Sequence, residues 1–316
     1  MGAPRAQARG AKKLRIASLL PSATDIACAL GLESNLVGVS HSCDAPVVAG
    51  LPRLTRTRIP ADADSRTIDA AVRQATEQGI SLYQIDGELL RKLAPDLILT
   101  QDLCDVCAVG EAEVTDALRA ACLAPVVLTL GPKTLAETWQ AIRAVGRVTG
   151  HHEQAAALVT AVEHRVSAVT AITRGVGHRP RVAFLEWIDP PIAGGHWNPE
   201  LIELAGGRDV LGTPGRPSRT VGWSEVAASR PDLVCVACCG FTAARAQADL
   251  DFLRHTAAMR DLPCIRAGRI EVFDGVGLFS RPGPRLVESL ERLAAAIHPQ
   301  LFGASAGSSP TLSGIT

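Results

Sequence analysis

A motif that occurs twice limits the possible folds of this chain more than any other feature. Residues 88–98 read Glu-Leu-Leu-Arg-Lys-Leu-Ala-Pro-Asp-Leu-Ile, and residues 225–234 read Glu-Val-Ala-Ala-Ser-Arg-Pro-Asp-Leu-Val. Both begin as a short helical pattern, pass through Pro-Asp and end in an apolar strand. Proline ends helices, and short continuous apolar runs are typical of buried parallel strands. One supersecondary unit at two distant places predicts two similar α/β halves.

Further strands fit the same plan. Apolar runs at residues 15–20, 36–40 and 126–130 alternate with helical stretches in the first half. The second half repeats this outline, with strand-like runs at residues 181–185 and 270–273. The runs are continuous rather than alternating, as expected for parallel strands covered on both faces. The predicted fold class is α/β, with two Rossmann-like lobes and mainly parallel sheets.

The region between the halves, from Lys133 to about Arg174, is Ala-rich and favours helix, with interruptions at Gly146 and around Gly150. A helix of about 40 residues would reach roughly 60 Å, enough to bridge two lobes as a rigid spine. Two ordinary packed helices are the alternative. The predicted organisation is a basic flexible tail (1–13), an N-terminal lobe (14–131), a bridging helix (132–176), a C-terminal lobe (177–302) and a flexible tail (303–316).

Charge and composition exclude several classes of partner. The 316 residues contain 32 Lys plus Arg and 32 Asp plus Glu, so the formal net charge is zero. Zero net charge gives no overall field that favours nucleic acid or an anionic membrane. No window approaches the roughly 18 apolar residues that a membrane helix needs. We expect a monomer without nucleic-acid contacts and without direct membrane insertion.

The N-terminus and the cysteines bear on the compartment. The apolar run at residues 14–20 is short, is interrupted by Pro21 and lacks a small-residue cleavage site, unlike a secretory signal. Nine cysteines are an odd count, which fits a reducing compartment better than a disulfide framework. Both features predict a cytoplasmic protein. A mis-assigned start codon would instead allow a periplasmic or extracellular location.

Candidate ligand-binding residues follow from the predicted sheets, because ligands of open parallel sheets bind beyond the carboxyl ends of the strands. These loops carry Pro21, Ser22, His41, Ser42, Cys43 and Asp102 in the first half, and Trp187, His196, Trp197, Phe279 and Arg281 in the second. The two Trp side chains flank a Pro/Gly loop, and their flat faces suit a large planar or macrocyclic ligand. We expect at least one of the two indoles to be exposed.

Thiol and imidazole groups in the first half include the residue types of a metal site. Cys104 and Cys107 form a CxxC pair, and His41 and Cys43 follow a neighbouring strand. Such ligands suit zinc or another soft ion, but the second CxxC or HxxxH of a structural zinc site is absent. Three interpretations stay open: a zinc site, a redox dithiol, or cysteines that line a pocket or pack.

Motifs for catalysis are absent from the sequence. It contains no G-x-G-x-x-G, Walker loop, G-x-S-x-G elbow or H-E-x-x-H, so no catalytic residue and no catalytic cofactor is assigned. The prediction is a binding protein rather than an enzyme. An enzyme or metallochaperone that uses His41, Cys43, Cys104 and Cys107 is the alternative from another class.

Four short motifs resemble a known family. They are Leu-Pro-Ser-Ala-Thr-Asp-Ile at residues 20–26, Val-Gly-Val-Ser at 37–40, Ala-Pro-Asp-Leu-Ile at 94–98 and Trp-Ile-Asp-Pro-Pro at 187–191. In these motifs the chain resembles the class III solute-binding proteins of ABC importers, which bind cobalamin or iron siderophores. The similarity runs from about Arg15 to about Leu301. It is closest to the cobalamin branch, through Pro190-Pro191 with Gly194, Leu-Ala-Gly-Gly at 204–207, and Arg281 followed by Pro284-Arg285.

The resemblance implies a function as well as a fold. It implies two Rossmann-like lobes bridged by a rigid helix, with a corrinoid, haem or ferric siderophore in the cleft between them. It also implies that one carboxylate on each lobe, here Glu88 and Glu225, docks onto arginines of an ABC permease. We therefore expect a cobalamin-like corrinoid as ligand, with His41 or a thiolate near cobalt. A ferric-siderophore or haem protein is the alternative, although such proteins favour Tyr-rich walls and this chain has one Tyr.

Overall fold

A computed structural model describes residues 13–59, 63–103 and 109–302 of the chain. Both predicted tails lie largely outside these ranges, and so do Cys104 and Cys107. The described residues form two α/β lobes, and the predicted two-lobed fold class is confirmed.

The N-terminal lobe is built on a parallel sheet with the strand order β2-β1-β5-β6. Its strands are β1 (Ile16–Ser18), β2 (Leu36–Val39), β5 (Leu97–Gln101) and β6 (Val126–Leu130). Beside it lies an antiparallel pair, β3 (Thr55–Thr57) with β4 (Tyr83–Ile85). Its helices are α1 (Pro21–Ala29), α2 (Ser65–Glu77), α3 (Gly87–Leu93) and α4 (Glu111–Ala121), with short 3₁₀ turns at Glu33–Asn35 and Pro46–Val48.

The C-terminal lobe has the strand order β10-β8-β7-β11-β12, with β9 paired to β7. Its strands are β7 (Arg181–Trp187), β8 (Ile192–Ala193), β9 (Arg208–Asp209), β10 (Arg219–Thr220), β11 (Leu233–Val236) and β12 (Ile270–Val272). The central strands β7, β11 and β12 run parallel. Its helices are α7 (Asn198–Leu204), α8 (Trp223–Ala228), α9 (Ala243–Ala248), α10 (Leu250–His255), α11 (Pro263–Arg266), α12 (Leu286–Ile297) and α13 (Pro299–Phe302), with a π-helical turn at Gly275–Phe279.

Two helices join the lobes, α5 (Leu135–Thr149) and α6 (His152–Thr173). Gly150 has a φ of +74° and ends α5, so a single 60 Å helix is not formed and the alternative of two packed helices is observed. A Cβ on Gly146 would lie only 2.5 Å from the Cβ of Ala155, which explains why glycine stands where the helices meet. Helix α6, with 22 residues and a length of about 33 Å, is the long bridging helix.

The position of α6 explains its role as the bridge. It packs against α5 on one side and against α12 and α7 of the C-terminal lobe on the other. Arg165 of α6 forms a two-point ion pair with Glu291 of α12, at 2.9 and 2.6 Å. By length and composition alone α6 would also qualify as a membrane span, with a mean hydropathy of 1.2, contrary to the sequence expectation.

One apolar core extends through both lobes. It includes Ile16 and Val39 of the N-terminal sheet, Ile142 of α5, Val159 of α6 and Leu290 of α12, all fully buried. Two further clusters cover the opposite faces of the two sheets. The lobes are therefore packed as parts of one body.

The repeated motif builds the same junction in each lobe. The Arg15 guanidinium donates to the Leu93 carbonyl oxygen from Nε at 3.0 Å and from Nη2 at 2.6 Å, and the Arg15 backbone N–H donates to Asp96 at 3.0 Å. In the second lobe the Arg181 guanidinium donates to the Ser229 carbonyl oxygen from Nε at 3.0 Å and from Nη2 at 2.6 Å. The Arg181 backbone N–H donates to Asp232 at 2.8 Å. An arginine at the start of each first strand thus holds the end of the helix that precedes Pro-Asp.

Candidate functional site between the two lobes

The N-terminal lobe presents polar side chains at its carboxyl edge, meaning the loops that follow the carboxyl ends of its parallel strands. His41 and Ser42 follow β2, and Asp102 follows β5. Ser42 and Asp102 are exposed and His41 is half-buried. At the start of α1, Pro21 is half-buried and Ser22 is buried.

His41 is held through both of its ring nitrogens. Nδ1 lies 2.7 Å from the Thr55 hydroxyl and Nε2 lies 3.0 Å from the Ser42 hydroxyl, while the ring is 5.6 Å from that of Tyr83. Burial, and next the charge of Arg53, lower the pKa of this imidazole. His41 is therefore neutral at pH 7, and a neutral imidazole is the form that coordinates a metal.

Cys43 does not combine with His41 into a metal site. Its thiol is buried, lies 3.1 Å from the Thr24 hydroxyl, and has a pKa raised by burial. Within residues 13–59, 63–103 and 109–302, no group of three or more His, Cys, Asp or Glu could hold a metal ion. Cys104 and Cys107 lie outside those ranges, so their role stays a prediction.

The large aromatic side chains predicted as ligand contacts are buried in the C-terminal lobe. Trp187, Trp197 and Phe279 are 7%, 4% and 1% exposed. The Trp197 indole N–H donates to the Phe279 carbonyl oxygen at 2.9 Å, and the Phe279 ring lies between Phe184 and Phe273. The expectation that at least one indole is exposed is wrong, because each indole packs into the apolar interior and pairs its N–H there.

Trp187 is covered by the other lobe. Its indole N–H donates to the backbone oxygens of Ser65, at 3.2 Å, and of Asp189, at 3.1 Å. Its ring lies 4.9 Å from that of Phe241. Ser65 begins α2, so a helix of the N-terminal lobe sits on the end of β7.

His196 lies in a loop that is fixed by its neighbours. Its backbone N–H donates to the Arg216 carbonyl oxygen at 2.6 Å, and its carbonyl oxygen accepts from the Gly215 N–H at 2.8 Å. The residue is half-buried with a φ of +54°, and burial followed by the charge of Lys133 lowers its pKa. A Cβ on the preceding Gly195 would lie 2.3 Å from the Ser218 nitrogen, so only glycine fits this approach.

Arg281 joins the two lobes instead of facing an open cleft. It is 5% exposed and pairs with Asp44 of the N-terminal lobe through two hydrogen bonds of 2.7 and 2.8 Å. Asp25 of α1 lies 3.6 Å from the same guanidinium. Burial alone would raise the pKa of Asp44, but the bonds and charge of Arg281 hold it below its ordinary value. Burial raises the pKa of Asp25 despite the charges of Arg281 and Arg285.

Sequence reasoning missed both partners of this ion pair. Asp25 lies in the motif at residues 20–26 and Asp44 follows the loop of His41, yet no pattern pairs them with a residue in the other half. A contact between the linking helices and the C-terminal lobe was also missed, in which Glu200 of α7 accepts a hydrogen bond of 3.0 Å from the Leu135 backbone N–H at the start of α5.

Glu88 and Glu225 occupy equivalent positions in the two lobes. Glu88 is in the first turn of α3, Glu225 is in the first turn of α8, and both residues are exposed. Glu88 borders a surface depression of about 580 Å³. Glu225 pairs with Arg219, whose hydrogen bond is the main cause of its lowered pKa.

The sequence matches the profile of a family described as periplasmic binding protein over residues 16–275. A comparison with curated protein sequences gave no significant match.

Several solved structures share this fold over nearly their whole length. The vitamin B12 binding protein BtuF of Vibrio cholerae is 21% identical with a TM-score of 0.65, over 90% of this chain and 96% of that chain. A periplasmic heme-binding protein from Pseudomonas aeruginosa is 20% identical with a TM-score of 0.68, over 91% and 93%. A possible iron-binding periplasmic solute-binding protein from Staphylococcus epidermidis is 22% identical with a TM-score of 0.69, over 91% and 100%.

The profile match also bears on two further predictions. Members of the family are periplasmic or extracellular solute-binding proteins, so the cytoplasmic prediction is not supported. They bind small ligands for ABC permeases and are not enzymes, which confirms the prediction of a binding protein. The match extends over most of the chain, and this protein therefore belongs to the periplasmic binding protein family.

Proposed function

We propose that this protein binds a cobalamin-like corrinoid between its lobes and delivers it to an ABC permease. The observation that carries the proposal is His41, a neutral imidazole held at the carboxyl edge of the N-terminal sheet. Imidazole nitrogen is a suitable axial ligand for a transition metal, and rotation of the exposed Ser42 hydroxyl would release the hydrogen bond that Nε2 makes.

The polarity of the N-terminal carboxyl edge favours a corrinoid over haem. The rim of a corrinoid carries neutral carboxamides, which donate hydrogen bonds to acceptors such as the Ser42 hydroxyl and the Asp102 carboxylate. The rim of haem carries two propionates, which the Asp102 carboxylate would repel. The resemblance of residues 204–207 and of Pro190-Pro191 to the cobalamin branch supports the same choice.

Absorbance titrations test the ligand. We expect cobinamide, whose cobalt carries exchangeable axial ligands and no intramolecular base, to shift its spectrum on binding the wild-type protein. His41→Ala should lose that shift and bind about tenfold more weakly, equivalent to about 1.4 kcal/mol. His164→Ala, which removes an exposed imidazole on α6, is the matched control. A haem Soret shift with no response to cobinamide or cobalamin would replace the corrinoid with the haem alternative.

We propose Glu88 and Glu225 as the contacts to the permease, because they are exposed at equivalent positions of the two lobes. Each variant, Glu88→Ala and Glu225→Ala, should lower stimulation of the permease ATPase and leave ligand affinity unchanged. Glu88→Ala should have the larger effect, since Glu225 already pairs with Arg219. Glu77→Ala, at the end of α2, is the control. Full stimulation by the double variant would exclude these residues as the docking contacts.

A further inference from the structure

Helix α2 belongs to the N-terminal lobe by chain order but also packs on the C-terminal lobe. Along the chain it follows β3 and precedes β4 of the first lobe. Its Ile68 side chain, 9% exposed, is part of the apolar cluster of Trp187 and Leu185, and Val72 packs against the same cluster. Val72 and Ala75 also pack against the apolar cluster of the N-terminal lobe, so α2 contacts both lobes and its first turn and Ile68 rest on the C-terminal lobe.

The first turn of α2 binds the end of β7 directly. The Ser65 carbonyl oxygen accepts the Trp187 indole N–H at 3.2 Å, and the Ser65 hydroxyl donates to the Asp249 carboxylate. Through these contacts, Ser65 of the N-terminal lobe supplies a hydrogen-bond partner to the Trp187 N–H and to one Asp249 oxygen in the C-terminal lobe.

Charged side chains flank this contact. Arg66 Nε lies 2.9 Å from Asp189 Oδ2, and Arg245 Nη2 donates to the Ala63 carbonyl oxygen at 3.0 Å. Together with Ser65 and Ile68, these residues form what we call the α2 latch.

The latch covers a surface suited to a ligand. Trp187 is the last residue of β7, a central strand of the C-terminal sheet, and ligands of open sheets bind at the carboxyl ends of such strands. Between the first turn of α2 and residues 188–189 a cavity of about 300 Å³ remains. That volume is at the lower limit for a drug-sized ligand, and a corrinoid is larger. A corrinoid on this edge therefore requires α2 to leave.

The latch is weaker than the interlobe ion pair of Arg281. Only Ser65 and Ile68 are buried among the 13 residues of α2, and the Arg66 side chain is 72% exposed. Exposed ion pairs contribute little because water screens them. On the other contact, Arg281 is buried and holds Asp44 with two hydrogen bonds. Helix α2 can thus open while the Arg281 pair keeps the lobes together.

We infer that α2 is an autoinhibitory lid, which occupies the carboxyl edge of β7 and is displaced by the solute. Lid and solute compete for one surface, and displacement of the lid exposes the Trp187 indole. The inference rests on the proposed function for the identity of the solute, whereas opening of the lid is measurable without any ligand.

Fluorine NMR of protein labelled with 5-fluorotryptophan tests the lid in the absence of ligand. The chain has four Trp, and Trp187→Phe assigns the Trp187 resonance. Ser65→Ala/Arg66→Ala should shift or broaden that resonance alone, and the amides of α2 should exchange faster than those of β7. The control is Arg73→Ala, which also removes one positive charge from α2. Arg73 pairs only with Asp69 of the same helix, so this variant should leave the Trp187 resonance and the exchange rates unchanged. Amides of α2 that exchange only with global unfolding would overturn the lid.

Calorimetry with cobinamide tests the competition. Ser65→Ala/Arg66→Ala should bind cobinamide about two- to fivefold more tightly than wild type, since weak contacts that oppose binding are lost. Ile68→Ala should show a larger gain, and Arg73→Ala none. Weaker binding by the Ser65/Arg66 variant would make α2 a wall of the site and overturn the lid. If wild type binds neither cobinamide nor cobalamin while the NMR response is present, the proposed function fails and the lid stands.

Discussion

The two lobes share a backbone plan and differ at their carboxyl edges. In each lobe an arginine at the start of the first strand holds the helix before Pro-Asp, with nearly identical distances. At the carboxyl edge of the first lobe, Ser42 and Asp102 are exposed to water. At that of the second, Trp187 ends β7 and Trp197 packs against the turn that follows β12, and both are buried. The repeat therefore determines the frame, and the side chains at the strand ends determine what each lobe does.

Physical chemistry explains the difference between the edges. Burial of a large aromatic side chain removes much apolar surface from water, and its N–H then needs an internal partner. Trp197 finds that partner in Phe279 and Trp187 in Ser65. Short polar side chains gain nothing comparable by burial and remain available to a ligand. The groups already open to a ligand therefore lie at the first edge, whereas the aromatic groups of the second edge contribute to stability while they are covered.

The largest expected effect contrasts one residue from each edge. Trp197→Ala should lower the free energy of unfolding by about 3–5 kcal/mol, because it leaves a cavity and an unpaired Phe279 carbonyl oxygen. Asp102→Ala, at an exposed position, should change it by less than about 0.5 kcal/mol. Urea unfolding followed by circular dichroism measures both. Equal effects would contradict the division of roles between the edges.

Removal of the interlobe ion pair should have the next largest effect. Arg281→Ala leaves Asp25 and Asp44 without their cation. Because the Asp44 side chain is 57% exposed and stays hydrated, the cost in urea unfolding should be about 2–3 kcal/mol, below that of a fully buried pair. Arg292→Ala, which removes only a pair with Glu288 on the same helix, is the control and should cost under about 1 kcal/mol. If the Arg281 variant were as stable as wild type, the pair would not hold the lobes together.

The C-terminal lobe should also respond to pH through Asp209. Burial raises the pKa of this carboxyl from 3.8 to about 6, and its Oδ2 has no hydrogen-bond partner. The folded protein therefore binds the proton more tightly than the unfolded chain. The destabilisation is fully present above about pH 6 and is relieved as pH falls towards 4.

Asp209→Asn keeps an oxygen for the Leu211 and Gly212 N–H groups and removes the charge. It should raise the free energy of unfolding at pH 7.5 by about 2 kcal/mol and flatten its slope between pH 4 and 6. Urea unfolding at a series of pH values measures this. An unchanged slope would show that Asp209 does not titrate in this range.

The smallest expected effects test the shared frame. Arg15→Ala and Arg181→Ala should each cost about 1 kcal/mol, because each removes hydrogen bonds from a half-buried guanidinium to a helix end. The two losses should agree within about 0.5 kcal/mol and add in the double variant, since the sites are far apart. A large difference between the lobes would show that the repeated junctions are not energetically equivalent.

Much of the fold was predictable because it depends on local patterns. Continuous apolar runs identified the central strands of both sheets, and Pro-Asp marked the two equivalent junctions. The helical content of residues 133–174 was also predictable. The helix break at Gly150 was not predictable. Glycine can end a helix or lie within one, and the packing of α5 on α6 decides which of the two occurs.

The candidate site was less predictable because it depends on contacts between distant residues. The strand-end rule correctly placed His41, Ser42 and Asp102 at a carboxyl edge. It also placed Trp187 and Arg281 at an edge. It could not reveal that Ser65 covers Trp187 or that Asp44 pairs with Arg281.

By itself the sequence determined two α/β lobes, the order of their central parallel strands along the chain and the residue types at the strand ends, because periodicity and helix-ending residues act over a few positions. Only the tertiary structure decided which of those strand-end residues face water. That outcome depends on how closely the lobes approach, and the approach is set by contacts such as Arg281 with Asp44 and α2 with β7, whose partners lie far apart in the chain.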